Sequence, residues 1–216
     1  MTEIANSSAS AEQPARRYHH GALREALLDR AAVVIEESGI EALTLRGLAR
    51  DLDVSHGAPN RHFASKAELL AALAARGYYG LRDAVLAAAA DAGDDPLLRL
   101  NAMGRGYLRW TFDHPSSFNA IMHPDVERHA DADLRQARAE VEGIVSDAVH
   151  AAQADGLHPG VNFAVLTLFV NAVPFGVAML RSQGMFYRSL EIDAREAFIA
   201  QVTELVVPVA DRETAE

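Results

Sequence analysis

Apolar residues recur along this chain at helical intervals. Between Ala22 and Ser38 they fall at Leu23, Leu27, Ala31, Val34 and Ile35, one stripe of an amphipathic helix. Gly39-Ile40 fits a left-handed C-terminal cap with its trailing hydrophobic contact. Thr44 then caps a short helix whose inner face is Leu45, Leu48, Ala49 and Leu52. Asp53-Val54 reads as a tight turn, and Ser55 as the cap of a third short helix running to about Phe63. Pro59 falls in the first turn of that helix, where it removes at most one hydrogen bond. Ser65-Lys66-Ala67-Glu68 is a capping box that opens a long helix, to roughly Ala90. Asp95-Pro96 opens the next, which ends at His114-Pro115. A short helix holds Phe118, Ile121 and Met122. Another carries Leu134, Val141, Ile144, Val145, Ala148 and Val149 and stops at Gly156. The run Val161–Leu180 is apolar nearly all round, and a final amphipathic helix carries Phe198, Val202, Leu205, Val206 and Val209. With no strand alternation and no repeat, the pattern predicts an all-α fold of nine helices.

Composition supports an ordered core: half of the 216 residues are hydrophobic, while Gly and Pro are modest. Cysteine is absent, which excludes disulfides and thiolate metal sites and fits a reducing, cytoplasmic setting. Residues 1–15, MTEIANSSASAEQPA, have no apolar core or early basic cluster and are expected to form a disordered tail, not a secretory signal. The run VNFAVLTLFVNAVPFGVAML is long enough to cross a bilayer. It carries Asn162, Thr167, Asn171 and Pro174 with no basic flank. A helix buried on several sides, as between subunits, is the expectation, with no membrane partner.

Charge divides the chain in two. The net charge is −10, yet residues 15–66 hold eight Lys/Arg against seven Asp/Glu, and residues 67–216 hold twelve against twenty-one. The head therefore escapes the acid excess. Within it, Lys66 sits at a helix N-terminus, where the macrodipole disfavours a cation unless an anion lies alongside. Three expected helix N-termini, at Thr44, Ser55 and Ser65, collect unpaired N–H groups of the kind that bind phosphate. Gly57 and Ala58 leave a slim leading end, and Ser55, His56, Asn60 and Arg61 offer hydrogen-bonding groups beside it. Two short helices joined by a tight turn with those features make a helix-turn-helix.

The segment RYHHGALREALLDRAAVVIEESGIEALTLRGLARDLDVSHGAPNRHFASKAELL resembles the DNA-binding domain of the TetR family of bacterial transcription regulators. LTLRGLA, VSHGAP, RHF and SKAELL occur in the family's order and spacing. The resemblance implies a homodimeric regulator, most simply a repressor. Its first three helices would bind a palindromic operator in double-stranded DNA, and six more would form the dimer and a pocket for an unknown small-molecule effector. Residues 16–64 would then be the helix-turn-helix domain and 65–216 the ligand-binding and dimerisation domain. By position, Thr44 and Lys66 fall where the family grips phosphates, with His62 a further backbone candidate. Asn60 stands where the family usually has tyrosine, and its amide is able to read adenine N6/N7. The candidate operator contacts are Thr44, Arg46, Ser55, His56, Gly57, Asn60, Arg61, His62 and Lys66. Further on, YLRWTFDHPSSFNAIMHP is similar to a TetR subgroup with a WHG-type C-terminal domain. Asn171 occupies that type's tryptophan position, and Phe175-Gly176 replaces its His-Gly.

Tyr107, Trp110, Thr111, Phe118 and Met122 could line a pocket, although a helical aromatic stripe is more often plain core. Thr167 and Asn171, four apart on an apolar helix, need polar partners, whether a ligand or another helix. Val161, Val165 and Leu168, with Phe198, Val202, Leu205 and Val209, are the expected dimer seam. His19-His20 cannot share a helix face. His114, His123, His129, His150 and His158 lack ligand-pair spacing, so no metal or other cofactor is expected. The contrasting readings are a helical small-molecule-binding or metal-sensing protein. No G-x-S-x-G, H-E-x-x-H, P-loop or dinucleotide fingerprint is present, and an enzyme is not expected.

Overall fold

Capping residues set most of the helix boundaries. The computed structural model describes residues 20–185 and 195–210, apart from the side chains of His20 and Gly21; the expected tail and His19 lie outside them. Helix α1, His20–Ser38, ends at Gly39, whose φ of 80° is one that glycine adopts without strain. The Gly39 N–H donates to the Ile35 carbonyl at 3.0 Å. A 3-10 turn, Ile40–Ala42, leads into α2, Leu45–Asp51, where Thr44 Oγ1 accepts from the Gly47 N–H at 3.0 Å. Asp53, at φ 52°, turns the corner, and the Val54 N–H closes it on the Ala49 carbonyl at 2.9 Å.

The helix expected from Ser55 to Phe63 does not form. In its place stands a 3-10 turn, Pro59–Arg61, capped by Ala58. Gly57 is a costly helix residue, and Pro59 has no N–H to donate. The stretch is too short to recover those losses. Ser55 therefore caps no helix; its carbonyl accepts from the Ala58 N–H at 2.9 Å.

Helix α3, Lys66–Asp91, opens on the capping box. Ser65 Oγ accepts from the Glu68 N–H at 3.1 Å, and Glu68 Oε2 reaches back to the Ala64 N–H at 2.7 Å. The remaining helices are α4, Pro96–Asp113; α5, Pro115–Ile121; α6, Pro124–Arg128; α7, Ala132–Ala154; α8, Phe163–Ser182; and α9, Arg195–Val206. The described residues thus hold nine α-helices and no strand. The predicted number is met by a different set: α6, unforeseen, stands in for the missing third helix.

Helix α3 joins two cores. Its first half places Leu69, Leu70 and Leu73 among Leu27, Leu28, Ile35, Leu43, Leu48 and Phe63 of the head, and this cluster continues to Val126 and Leu134. The boundary expected at 64/65 thus falls inside one apolar cluster. The second half of α3 packs Leu81, Val85 and Ala89 with Met103, Trp110, Phe118 and Ala178. Gly106 lets α3 and α4 come this close, since a β-carbon there would lie 2.9 Å from Ala88 Cβ and 3.0 Å from the Ala84 carbonyl. Helix α9 is tied to α4 by Arg109–Glu196 at 2.6 Å and Arg195–Asp113 at 2.7 Å.

Within one chain α8 is covered on one side only. Leu166, Val170, Pro174 and Ala178 face inward, while Val165, Leu168, Phe169 and Phe175 stay exposed, as does Val161 just before the helix. It is long and apolar enough to cross a membrane. Leu205 of α9, 82% exposed, adds to the uncovered apolar surface. Phe198 and Val202 are half-buried against Leu108, Phe112 and Ile199. Val209, expected in the seam, is buried instead in the chain's own core with Leu97 and Leu100. A position beyond the last helical turn is free to fold back, so the helical stripe does not govern it.

Candidate nucleic-acid interface and ligand cavity

The corner formed by α2 and the 59–61 turn is anchored from beneath and polar on top. Leu48, Ala49, Pro59 and Phe63 are buried, whereas Thr44, Arg46, Ser55, His56, Gly57, Asn60 and Arg61 are exposed. His62 and Lys66 are half-buried. Because Pro59 and Phe63 hold the 3-10 turn down, Asn60 and Arg61 between them project outward. Nothing approaches the position a β-carbon would take on Gly57.

Ion pairing sorts the cations of this head. Arg24 meets Glu25 at 3.3 Å and lies over the Phe63 ring, Arg30 meets Asp51 at 2.9 Å, and Arg50 meets Asp51 at 3.5 Å. Lys66 Nζ stands 3.7 Å from Glu41 Oε2. That pair gives the lysine an intramolecular partner which sequence spacing did not suggest. Arg46 and Arg61 enter no ion pair or side-chain hydrogen bond among the described residues. Two exposed guanidinium groups beside His56 and Asn60 suit phosphate and base-edge contacts.

Between α3, α4, α5, α7, α8 and α9 lies a cavity of about 440 Å³, within the range of small-molecule sites. Its wall is chiefly apolar, with Leu81, Val85, Met103, Phe118, Ile121 and Val145 among the contributors. Of the expected pocket residues, Tyr107, Phe118, Met122 and Asn171 line it; Trp110, Thr111 and Thr167 do not. Trp110 is buried and stacked on the His114 ring at 5.3 Å. Thr111 is buried and donates to the Leu108 carbonyl at 2.9 Å. Asn171 Nδ2 donates within its own helix, to the Thr167 carbonyl at 2.7 Å.

The polar groups of the wall come mostly from residues that the sequence did not single out: Tyr78, Asn101, Arg138, Glu142 and Thr203. Asn101, 2% exposed, donates Nδ2 to the Val207 carbonyl at 2.8 Å and so holds the chain after α9 against α4. Thr203 donates its hydroxyl back to the Ile199 carbonyl at 3.1 Å. Arg138 Nη2 donates to Glu127 Oε2 at 2.6 Å, while its Nε is buried without a partner among the described residues. Burial pushes the Tyr107 phenol well above the ordinary tyrosine range, with the neighbouring Tyr78 adding to the effect. Burial also raises Tyr78, against an opposing pull from Arg138. Both phenols are therefore protonated donors at neutral pH. A signal was present, since Arg138 and Glu142 continue the spacing of Leu134, Val145 and Val149 on one face of α7. Charges within an apolar stripe mark a wall that is more than packing.

A helix-turn-helix head joined by one long helix to a helical domain around an apolar cavity defines a bacterial transcription regulator. Residues 27–73 match the model of bacterial regulatory proteins of the tetR family, and residues 100–205 match that of the tetracyclin repressor-like C-terminal domain. The chain belongs to the TetR family. No protein of curated function matches it. Among solved structures it is similar to a protein of unknown function from Rhodococcus sp. RHA1, 28% identical with a TM-score of 0.71, covering 94% of this chain and 100% of that one. A tetR-family regulatory protein from Rhodococcus RHA1 is 21% identical with a TM-score of 0.67, covering 85% and 94% of the two chains. The TetR-family regulator PfmR from Thermus thermophilus is 20% identical with a TM-score of 0.64, covering 84% and 96%. The last two likenesses speak for the fold.

Proposed function

We propose that this chain is a cytoplasmic, ligand-responsive repressor that binds a palindromic operator as a homodimer. The carrying observation is the distribution of charge on the head. Arg46 and Arg61 stand exposed and, among the described residues, unpaired on the helix-turn-helix corner, while Arg24, Arg30, Arg50 and Lys66 are met by carboxylates. Thr44, Ser55, His56, Gly57 and Asn60 share the exposed surface of that corner. Thr44, Arg46, Arg61, His62 and Lys66 would hold backbone, and Asn60 with His56 would reach base edges. The uncovered face of α8, with Leu205 of α9, is the surface a second copy would bury. Leu168 and Phe175 belong to that exposed face and also line the cavity, so an occupant there would bear on the packing of two subunits. A ligand shifts the dimer away from its DNA-competent arrangement only by binding the two arrangements unequally.

The test is a salt titration of duplex binding. If the dimer makes ~6–10 phosphate contacts, affinity falls by roughly 10³–10⁵ between 50 and 200 mM salt. A flat titration, or equal affinity for all duplex sequences, rejects the proposal.

A further inference from the structure

Among the described residues the cavity wall carries two formal charges, Arg138 and Glu142, both from α7. They are not equally satisfied. Arg138 Nη2 donates to Glu127 Oε2 at 2.6 Å, so the guanidinium is already neutralised from α6. Glu142 is exposed and has no ion pair or side-chain hydrogen bond among the described residues. One guanidinium between two carboxylates leaves one negative charge over, and that charge stands on the wall. Being both exposed and part of the lining, Glu142 marks a place where the cavity meets solvent. Aromatic rings lie close by, with Tyr78 within electrostatic reach of Glu142 and Tyr107 within reach of Tyr78.

The charge of an occupant decides how this wall receives it. An anion meets repulsion from Glu142, and the guanidinium that could offset it is taken. A neutral molecule filling the opening strips water from Glu142 and gives nothing in return, and a carboxylate desolvated without a partner is costly. A cation supplies the missing partner. The rings add to its attraction, because aromatic faces favour ammonium groups.

Resting on the reading of this cavity as the effector site, we propose that it takes an amphiphilic monocation, the ammonium-type head held by Glu142 with the rings of Tyr78 and Tyr107. The rest of the wall, chiefly apolar, encloses the hydrocarbon body. Glu142 selects in two ways, by pairing with the cation and by repelling a carboxylate of the same shape.

Displacement of diphenylhexatriene, a neutral hydrocarbon whose fluorescence rises on burial, from the full chain tests this. Decyltrimethylammonium, decanol and decanoate compete for it; they share one alkyl chain and differ in charge. The titrations run at about 150 mM salt, where the general field of this acidic chain is screened beyond about 8 Å. Concentrations are kept where the helical circular dichroism of the chain is intact. The ammonium is expected to displace the reporter at a concentration about tenfold below decanol, with decanoate the weakest. Glu142→Gln should bring ammonium and decanol level. Asp147→Asn removes an equal charge from an exposed site of α7 outside the lining, and should keep the tenfold gap. Decanol or decanoate matching the ammonium on the native chain overturns the proposal. So does a gap that survives Glu142→Gln, or one that closes equally in Asp147→Asn. If the reporter is not taken up, the cavity is not an apolar ligand site, and the underlying reading fails with the inference. Reporter uptake without charge preference defeats the inference alone. The stated preference, with no change in the duplexes the protein retains from a random pool, upholds the cation site and defeats its effector role.

Discussion

Gly77 of α3 and Ile121 at the end of α5 meet so closely that a β-carbon on the glycine would lie 3.1 Å from Ile121 Cδ1. Ile121 packs against the head's core cluster and against the second one, and it lines the cavity as well. The contact therefore sits where the head, the long helix and the ligand wall come together.

Gly77→Ala and Gly106→Ala should behave in opposite ways. At Gly77 the crowding atom is the end of a side chain that borders open cavity space, so Ile121 can give way. Alanine then brings its helix propensity, and stability should be unchanged or higher by up to about 1 kcal/mol. The displaced Ile121 narrows the cavity, so uptake of an apolar fluorescent probe such as diphenylhexatriene should fall. At Gly106 the crowding atoms include the Ala84 carbonyl, which is backbone and cannot rotate aside. Overpacking there should cost roughly 1–3 kcal/mol. Urea unfolding of the two variants, measured side by side, checks the contrast.

Lys66 and Glu41 give a second test. If the lysine serves DNA, Glu41 competes with phosphate for it, and Glu41→Gln should tighten binding to operator and random duplex alike. Lys66→Ala should weaken both about equally and lower the salt slope by about one. If the pair is only a surface ion pair, worth at most about 1 kcal/mol, neither change alters DNA affinity. Duplex titrations at two salt concentrations separate the cases.

The sequence shows most clearly those elements whose signals are local. Thr44 caps α2, and Ser65 with Glu68 opens α3, because a cap is a contact between residues three apart. The tight turn at Asp53-Val54 was legible, but the stretch from Ser55 to Phe63 reads as a helix in sequence and forms a 3-10 turn instead, since Gly57 and Pro59 weaken a helix without naming what replaces it. The cavity was half-legible. The aromatic stripe of α4 contains Tyr107 and Trp110, yet helices pack on several flanks of α4, and sequence spacing does not say which flank faces open space. Arg138 and Glu142 were visible as charges in an apolar stripe, whereas the Lys66–Glu41 pair depends on chain segments brought together only by folding.

The uncovered apolar face predicts the assembly. Leu205 is 82% exposed in the single chain, so Leu205→Glu leaves the chain's own core intact. In a dimer sealed by α8 and α9 the same carboxylate is buried without a partner, at several kcal/mol. Light scattering should give twice the chain mass for the native protein. The variant should run as a monomer, or aggregate, with DNA affinity lost. A variant that still dimerises and binds DNA normally would place the interface elsewhere.

This acidic chain is expected to read DNA through two copies of its head. Enrichment of duplexes from a random pool by the purified full-length protein, followed by sequencing, tests it most directly. One palindromic sequence should emerge, its half-sites centred about one helical turn, roughly 34 Å, or a multiple of that, apart. Retention of no duplex, or of sequences without two-fold symmetry, would contradict it.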